Sequence, residues 1–349
     1  MKIYKNIFNK IVSLENLFSA WDKFKSNKQK KRDVQRFEWQ LEENIFQLHR
    51  DLKYRRYKHG AYTSFYIRDP KQRHIHKATV RDRVLHHAVF AVLNPIFEPT
   101  FISNSFSCRI GKGTHKGIDI LDKTLRQISS NGFKPCFALK CDIKKFFGTV
   151  DHSILLSIIH KRIKDADTLW LLEEIIKSFI SQYSTLPERK GLPIGNLTSQ
   201  LFANIYLDEF DQFIKHKLKV KYYIRYTDDF VIGAKDKLYL ETLLIPIRSF
   251  LPDKLALELH SKKVTIRKFH QGIDFLGYIV LPHHRLLRTK TRKRIFRKLK
   301  KRVEEYKKGT ITKQTLEQSL QSYLGVLSHA DTYKLSNELK NQFWFWITE

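Results

Sequence analysis

The segment Tyr226-Thr227-Asp228-Asp229 decides the architecture that this chain predicts, because it places two adjacent carboxylates between two β-prone runs. Aromatic and β-branched residues dominate both runs, at 221–225 and 230–234. Short runs of this composition on either side of an Asp-containing break predict a β-hairpin with the carboxylates at its tip. Asp-Asp also occurs in ordinary turns, because Asp tolerates turn geometry. The Asp-Asp pair indicates a functional site only if the chain also supplies a third carboxylate and a surface for nucleic acid.

A third carboxylate is found at Asp142, after an apolar run at 133–141 that predicts a strand. Alternation along the strand puts Asp142 on the face opposite the more apolar one. An Asp in this position that merely caps the next segment is the simpler interpretation. Together with the hairpin pair, however, Asp142 predicts a site in which carboxylates from two strands hold two divalent ions for nucleotidyl transfer.

Charge and composition point to nucleic acid as the partner. The 349 residues include 65 Lys or Arg against 35 Asp or Glu, a formal net charge of +30, and this length predicts two or three packed units. The basic residues are spread along the chain, which argues against a membrane-surface helix, and no apolar run is long enough to span a bilayer. Three cysteines without C-x-x-C spacing fit a reduced, cytoplasmic protein and argue against a zinc ribbon.

Six segments of the chain, taken in order, resemble the sequence motifs of reverse transcriptases. They lie at 67–75, 80–84, 139–147, 191–200, 226–229 and 275–278. One such motif can arise by chance, whereas six in the family's order and spacing are specific. The resemblance implies an α+β right-hand polymerase with a helical N-terminal extension, which makes cDNA on a template RNA from deoxynucleotides.

The resemblance also implies the domain boundaries. The N-terminal extension would cover residues 1–60 and the fingers 61–135, with 165–200 returning to the fingers and palm. The palm with the catalytic motifs would cover 136–284, and a basic helical thumb 285–349. Nothing after this thumb matches an RNase H or endonuclease domain, so we expect such activities to come from partners.

Carried onto the matching positions, the resemblance implies that Asp142 and Asp228 are the main ligands of two Mg²⁺ ions, for which Mn²⁺ would substitute. Asp229 would support them, and the Ile143 carbonyl would add a contact. Lys263, or Lys262 as the alternative, lies where the family has a lysine that protonates the leaving pyrophosphate. The incoming triphosphate would be gripped by basic residues of the first motif, namely Arg73 with Arg68 or Lys71.

Substrate choice and fidelity depend on two further positions. Phe147, five residues beyond Asp142, falls where the family places a bulky gate against a ribose 2′-hydroxyl, although one phenylalanine of 146–147 also fits an ordinary core position. Most reverse transcriptases have Gln-Gly and then Ser-Pro in the loop that follows. This chain instead has Ile194-Gly195 and then Ser199-Gln200.

The loop variant resembles the reverse transcriptases of diversity-generating retroelements, which copy template RNA with errors opposite adenines. A glutamine can hydrogen-bond the nucleotide, whereas Ile194 can neither donate nor accept, so it fixes the base-pair geometry less well. The alternative is that Ile194 fills space in an enzyme of ordinary fidelity, from a retron, a group II intron or a phage-defence system. The diversity-generating resemblance also implies a small, basic, oligomeric accessory protein as a partner.

The C-terminal region predicts a surface for the RNA/cDNA duplex. Residues 285–308 contain thirteen Lys or Arg and only two Glu, and they are predicted to be helical throughout. An apolar stripe would face a core, at Ile295, Leu299, Val303 and Tyr306. The histidines at 74, 76, 86 and 87 lack further ligands at fitting spacing, so we interpret them as structural or RNA-contacting. A polymerase fold that has lost catalysis and serves as an RNA-binding scaffold is the rival interpretation from another class.

Overall fold

The computed structural model describes residues 2–69, 72–185 and 188–349, and the chain forms two compact units. Unit 1 comprises Met1–Arg109, Asp142–Val220 and Ile245–Ser261. Unit 2 comprises Ile110–Cys141, Lys221–Leu244 and Lys262–Glu349. The division into extension, fingers, palm and thumb stays a prediction.

Groups of helices and groups of mostly antiparallel strands follow one another along the chain, which confirms the α+β class. The helices are α1 (Phe8–Val12), α2 (Leu14–Lys25), α3 (Arg32–Trp39), α4 (Leu41–Lys53), α5 (Val80–Phe97), α6 (Thr114–Ile128), α7 (Phe146–Thr149), α8 (His152–His160), α9 (Ala166–Lys177), α10 (Leu197–Gln212), α11 (Lys237–Leu255), α12 (Thr289–Lys307), α13 (Lys313–Leu327) and α14 (Tyr333–Thr348). The strands are β1 (Thr63–Ile67), β2 (Arg73–Lys77), β3 (Phe137–Asp142), β4 (Tyr223–Tyr226), β5 (Asp229–Ala234), β6 (Thr265–Lys268), β7 (Ile273–Phe275), β8 (Tyr278–Val280) and β9 (Arg285–Leu287). No helix within the described ranges is both long and apolar enough to cross a membrane.

The N-terminal helices of unit 1 pack on α5, as their apolar spacing requires. Ile11, Leu17 and Val34 are fully buried, and helices α1, α2 and α3 each contact α5. Polar contacts fix the arrangement, since the Asn16 amide donates to the Ala88 carbonyl over 3.1 Å. The predicted helical extension is therefore confirmed, and its apolar faces cover a helix of the second sequence motif.

Asp82, inside that second motif, is a structural residue of unit 1. Its buried carboxylate accepts hydrogen bonds from the Tyr57 hydroxyl (2.8 Å), the Thr79 hydroxyl (2.6 Å) and the Gly60 N–H (3.1 Å). Burial, together with the neighbouring Asp82 charge, raises the pKa of Tyr57 well above its usual range, so its hydroxyl stays protonated and keeps donating. The carboxylate thus ties the start of α5 to the segment before β1.

Replacing Asp82 by alanine is expected to destabilise unit 1 by about 3 kcal/mol, because it leaves buried hydrogen-bond donors without an acceptor. The melting temperature should fall by roughly 6–10 °C, measured by circular dichroism. Asp22→Ala is the matched control, since Asp22 is an exposed residue of the same unit. Equal melting temperatures for the two variants would show that the Asp82 hydrogen bonds contribute no stability.

Unit 2 contains a four-stranded sheet with the order β4-β5-β3-β6. β4 and β5 form the predicted antiparallel hairpin, and β3 pairs antiparallel with β6. Helix α6 covers the sheet with the buried side chains of Leu121, Leu125 and Ile128. The approach is close at Gly233, where an added Cβ would lie 2.5 Å from the tip of Ile128, so glycine is needed there. The predicted strand at 133–141 begins only at Phe137.

The segment at 285–287 corrects the prediction of an unbroken helical tail from Arg285. It forms β9, which pairs with β8 in a second sheet of order β7-β8-β9, and α12 starts only at Thr289. The side chain of Arg285 donates to the carboxylates of Asp119 (2.8 Å) and Asp122 (3.3 Å) on α6 and to the carbonyl of His329 (3.0 Å). These long-range contacts hold Arg285 in a strand, although its neighbours favour a helix.

Helices α12, α13 and α14 pack together as the C-terminal part of unit 2. The predicted stripe on α12 is confirmed for Ile295, Leu299 and Val303, which are buried, while Tyr306 is half-buried. The basic residues of α12 face outward, and Arg292 pairs with Glu338 of α14 over 3.0 Å.

Candidate active site

The hairpin turn of unit 2 presents Asp228. Tyr226 ends β4 and pairs with Asp229, the first residue of β5, so Thr227 and Asp228 alone make the turn. Thr227 has a φ of +53°, a conformation that a β-branched residue seldom adopts. Such backbone strain is retained where the surrounding structure enforces it, and it is concentrated at functional sites.

Arg225 enforces the turn, a role that the sequence motifs do not indicate. Its side chain is completely buried, and its guanidinium donates to the Thr227 carbonyl over 3.2 Å. A buried guanidinium must be fully hydrogen-bonded, which makes it a rigid support for the backbone beside Asp228. The sequence feature that could have indicated this role is the arginine itself, because it is a charged residue in the middle of an apolar strand.

Asp142 is the last residue of β3, and β3 lies beside β5 in the sheet. Its side chain is largely buried, and its backbone carbonyl accepts from the His260 N–H over 2.8 Å. The strand order thus brings the predicted carboxylates to two neighbouring strands and the turn between β4 and β5. No described group of three or more His, Cys, Asp or Glu side chains already has the arrangement of a metal site.

The donor atoms nevertheless suit a hard divalent cation. Carboxylate oxygens, with backbone carbonyls, are the ligands that Mg²⁺ and similar ions take in proteins. The β-bridge between Ile143 and Leu259 is formed by hydrogen bonds of the Lys144 N–H and the Asp142 carbonyl. Because the Ile143 carbonyl is not used in this bridge, it is suitable as a further metal ligand. Among transition metals, only those that accept oxygen-only ligand sets would compete.

The structure separates the roles of the two phenylalanines after Asp142. Phe146 is buried and lies against Tyr206, with ring centroids 6.4 Å apart, so it is the core residue. Phe147 is half-buried, and its carbonyl accepts from the Leu192 N–H over 2.6 Å. The residue that the resemblance implies as a gate is therefore accessible, and it is joined to the 191–196 loop.

That loop is held at both ends within unit 1. Gly191 has a φ of +115° and donates to the Val150 carbonyl over 2.8 Å, while His152 contacts the Gly191 carbonyl over 2.8 Å. At the other end the Ile194 carbonyl accepts from the His76 N–H of β2 over 3.3 Å. Ile194 is half-buried rather than enclosed in the core, Gly195 is exposed with a φ of +122°, and Gln200 is half-buried on α10.

The basic residues predicted to grip the triphosphate belong to the β1–β2 ribbon. Arg68, which follows β1, and Arg73, which begins β2, are exposed, whereas Lys71 lies outside the described residues. Two of the histidines further along are structural, since burial lowers the pKa of His86 well below its usual range and that of His87 to about 4. Both are therefore neutral at physiological pH, which fits their positions in the packed helix α5.

Lys263 lies in unit 2, just before β6, beside other cations. With Lys140 and Arg267 it lines a cavity of about 200 Å³, which the Asp274 carboxylate also borders. Asp274 is paired with Arg288, so the lining keeps an excess of positive charge. Lys140 is directly opposite Thr265 and shares the sheet face of Asp142 by strand alternation. Such a lining can attract phosphate groups.

Comparison with known proteins decides the family. Residues 67–280 match the model of the family described as reverse transcriptase (RNA-dependent DNA polymerase). The chain belongs to the reverse transcriptase family. The α+β, right-hand polymerase fold implied by the motifs is that of this family, and members generally use divalent metal ions.

Individual relatives of this reverse transcriptase share about a quarter of its residues. It is similar to the protein YkfC of Escherichia coli (27% identical over 61% of this chain and 62% of that protein). It is also similar to the group II intron-encoded protein LtrA of Lactococcus lactis (24% identical over 79% of this chain and 53% of that protein). The chain thus spans between half and two thirds of the length of these relatives. A solved telomerase from Candida albicans is similar over 85% of this chain and 56% of its own, with 12% identity and a TM-score of 0.49.

Proposed function

We propose that this reverse transcriptase is an RNA-directed DNA polymerase that extends a primer on template RNA with deoxynucleotides. The observation that carries the proposal is the strained Thr227–Asp228 turn beside the strand that ends in Asp142, inside the region matched by the family. Asp142, Asp228 and Asp229, with the Ile143 carbonyl, would hold two Mg²⁺ ions, or Mn²⁺ in their place. When bound, such ions activate a primer 3′-hydroxyl and neutralise the charge of the phosphates.

The remaining side chains bind and orient the nucleotide. Arg73 and Arg68, with Lys71, would hold the triphosphate through bidentate contacts. Phe147 would pack against the sugar where a 2′-hydroxyl would clash. Lys263 would donate the proton that the leaving pyrophosphate needs, in a cationic setting shared with Lys140. The test is metal-dependent primer extension by the purified chain, and no extension with Mg²⁺ or Mn²⁺ would reject the proposal in favour of an RNA-binding scaffold.

The outward basic residues of α12 would bind the template RNA and the RNA/cDNA duplex. Contacts of this kind go to phosphates and sense shape rather than sequence, as a thumb does. The proposal therefore assigns residues 285–349 to the thumb, 136–284 to the palm, 61–135 with 165–200 to the fingers, and 1–60 to the extension. Binding through phosphates predicts a steep loss of affinity as salt increases.

Ile194 supports a finer proposal, that the enzyme works in the cytoplasm in a diversity-generating retroelement with a small, basic, oligomeric accessory protein. Its side chain is half-buried in the loop held by β2, where it can face a nucleotide. An apolar side chain there offers no hydrogen bond, so that wrong pairs opposite template adenine are rejected less strongly. Gln200, in place of the usual proline, is the second position at which the loop resembles this subclass, whereas Gly195 is shared with the usual pattern.

A second candidate is a reverse transcriptase of ordinary fidelity that acts with an intron. The similarity to LtrA, a group II intron-encoded protein, favours it. Under this alternative Ile194 only fills space. Sequencing of cDNA made on a defined RNA separates the two candidates, because the first predicts errors concentrated at adenines and the second does not.

Ile194→Gln should reduce misincorporation opposite template adenine about fivefold, since one added hydrogen bond is worth about 1 kcal/mol. The measurement is deep sequencing of cDNA from both proteins on the same RNA. Leu197→Gln, an equal change at a half-buried position at the start of α10, should leave the error spectrum as it is. Uniform errors in the unmodified enzyme would reject the diversity-generating assignment.

A further inference from the structure

The β1–β2 ribbon of unit 1 carries aromatic rings that the proposed chemistry does not use. All five residues of β1 are exposed, among them Phe65 and Tyr66. Exposed rings gain little from burial within a two-stranded ribbon, so an exposed aromatic cluster calls for a ligand.

The pairing register sorts the ribbon into two faces. Tyr66 is opposite His74 and Ser64 is opposite His76, so these side chains share one face, while Phe65 and its partner Ile75 share the other. The Ile75 face approaches the loop of the proposed nucleotide site, because an added Cβ at Gly195 would lie 3.3 Å from Ile75 Cγ2. Tyr66 and His74 therefore lie on the ribbon face opposite Ile75.

On the Tyr66 face the rings form a continuous series, which we call the ring ladder: Tyr66, His74, His76 and Phe179. Tyr66 and His74 are stacked in parallel, with ring centroids 4.4 Å apart and planes within 8°. His74 lies 4.2 Å from His76, and His76 lies 4.6 Å from Phe179, again between ring centroids. The ladder thus runs from the exposed ribbon toward the body of unit 1.

The inner end of the ladder is anchored. Phe179 packs edge-on against Tyr62, whose hydroxyl contacts Ser178 Oγ over 3.0 Å and accepts from the Asn196 amide over 3.2 Å. Burial raises the pKa of Tyr62 to about 12, so the hydroxyl stays neutral in this network. The outer end is open, since the side chain of Tyr66 is 58% exposed. A ring held in place with one open face is preorganised for stacking, which lowers the entropy lost on binding.

We infer that Tyr66 and His74 form a stacking platform for an unpaired base of the template RNA. The inference rests on the proposed function, because it names the part of the template that this ribbon would hold. Unpaired RNA bases stack on aromatic side chains, and every base has a face to offer, so a template of any sequence can be accommodated. Bases within a duplex already stack on one another and leave no face for the platform.

The position of the ladder favours template over nucleotide as its ligand. His76 belongs to the ladder, and its backbone N–H holds Ile194 in the proposed nucleotide loop. The ladder and that loop are thus linked through His76 and through the Tyr62 hydroxyl, which accepts from the Asn196 amide, while Tyr66 and His74 lie on the ribbon face opposite Ile75. The next template base to be copied needs a binding position beside the template base that is paired with the incoming nucleotide.

The test uses the full chain with a primer–template whose RNA strand carries a 5′ overhang containing 2-aminopurine, without nucleotides. Stacking should quench the fluorescence in the unmodified protein, and Tyr66→Ala should restore most of it. Affinity for the overhang substrate should fall about tenfold in Tyr66→Ala and stay within about twofold in Tyr66→Phe. Affinity for a blunt primer–template should be equal in all three proteins.

Tyr54→Ala is the matched control, because Tyr54 has 60% exposure in the same unit but lies outside the ladder. The Tyr54→Ala variant should quench the 2-aminopurine fluorescence as strongly as the unmodified protein does. If Tyr66→Ala binds and quenches like Tyr54→Ala, the platform is rejected, while normal primer extension would leave the proposed polymerase intact. If the unmodified protein does not extend primers, but Tyr66→Ala loses the quenching that the unmodified protein shows, the polymerase proposal fails and the platform stands as an RNA-binding site.

Discussion

Asp228→Ala should abolish primer extension, lowering the rate by at least about a thousandfold, or about 4 kcal/mol of transition-state stabilisation. The carboxylate lies in the two-residue turn between β4 and β5, and Arg225 fixes the backbone beside it. Without it, the proposed metal pair would lose a main ligand, and the negative charge that develops on the phosphates would be less well neutralised. Extension of a labelled primer on RNA at saturating deoxynucleotide measures the effect.

Asp236→Ala serves as the control, since Asp236 is an exposed carboxylate of unit 2 that caps the N–H groups of Leu238 and Tyr239 at the start of α11. It should extend primers at nearly the normal rate. Both variants should keep the circular dichroism spectrum of the unmodified protein, because Asp228 is in a turn rather than in a core. Full activity of a folded Asp228→Ala would eliminate the carboxylate mechanism.

Phe147→Ala should admit ribonucleotides, with discrimination against them falling about a hundredfold, or about 2.7 kcal/mol. The reason is steric, because the proposed gate lies beside a sugar whose 2′-hydroxyl it would otherwise exclude. Removing a half-buried ring should cost less stability than removing the fully buried ring of Phe146. The measurement is the ratio of kcat/KM for deoxynucleotide and ribonucleotide on one template.

A graded series makes this prediction sharper. Phe147→Leu keeps part of the bulk and should give intermediate discrimination, whereas Phe147→Tyr should keep nearly all of it. Deoxynucleotide incorporation should change much less than ribonucleotide incorporation across the series. A ratio that does not follow side-chain size would mean that Phe147 is not the gate.

Much of the fold follows from local patterns in the sequence. The hairpin around Asp228 is confirmed because β-prone runs and a turn-tolerant Asp agree over a few residues. The N-terminal helices and the stripe of Ile295, Leu299 and Val303 are confirmed because helical spacing alone creates a face that must be buried. The metal, nucleotide and fidelity roles remain predictions, since they depend on ligands.

Other features depend on contacts that the local sequence does not contain. Arg285 begins a strand because β8 and two aspartates of α6 hold it, although its neighbours are typical of a helix. Of two adjacent phenylalanines, only Phe146 reaches the core, because the turn at Lys145 sets which ring points inward. The sequence shows an arginine at position 225, but it does not show that this side chain is buried and supports the hairpin turn.

The polymerase motifs, their order and the hairpin that carries Asp228-Asp229 follow from local sequence, because they depend on residue type and short-range spacing. Folding of the whole chain sets which strand lies beside that hairpin, which phenylalanine is accessible and which rings of the ribbon stack. Those features require residues far apart in the chain to meet, and strand register, with side chains alternating between two faces, sets the outcome.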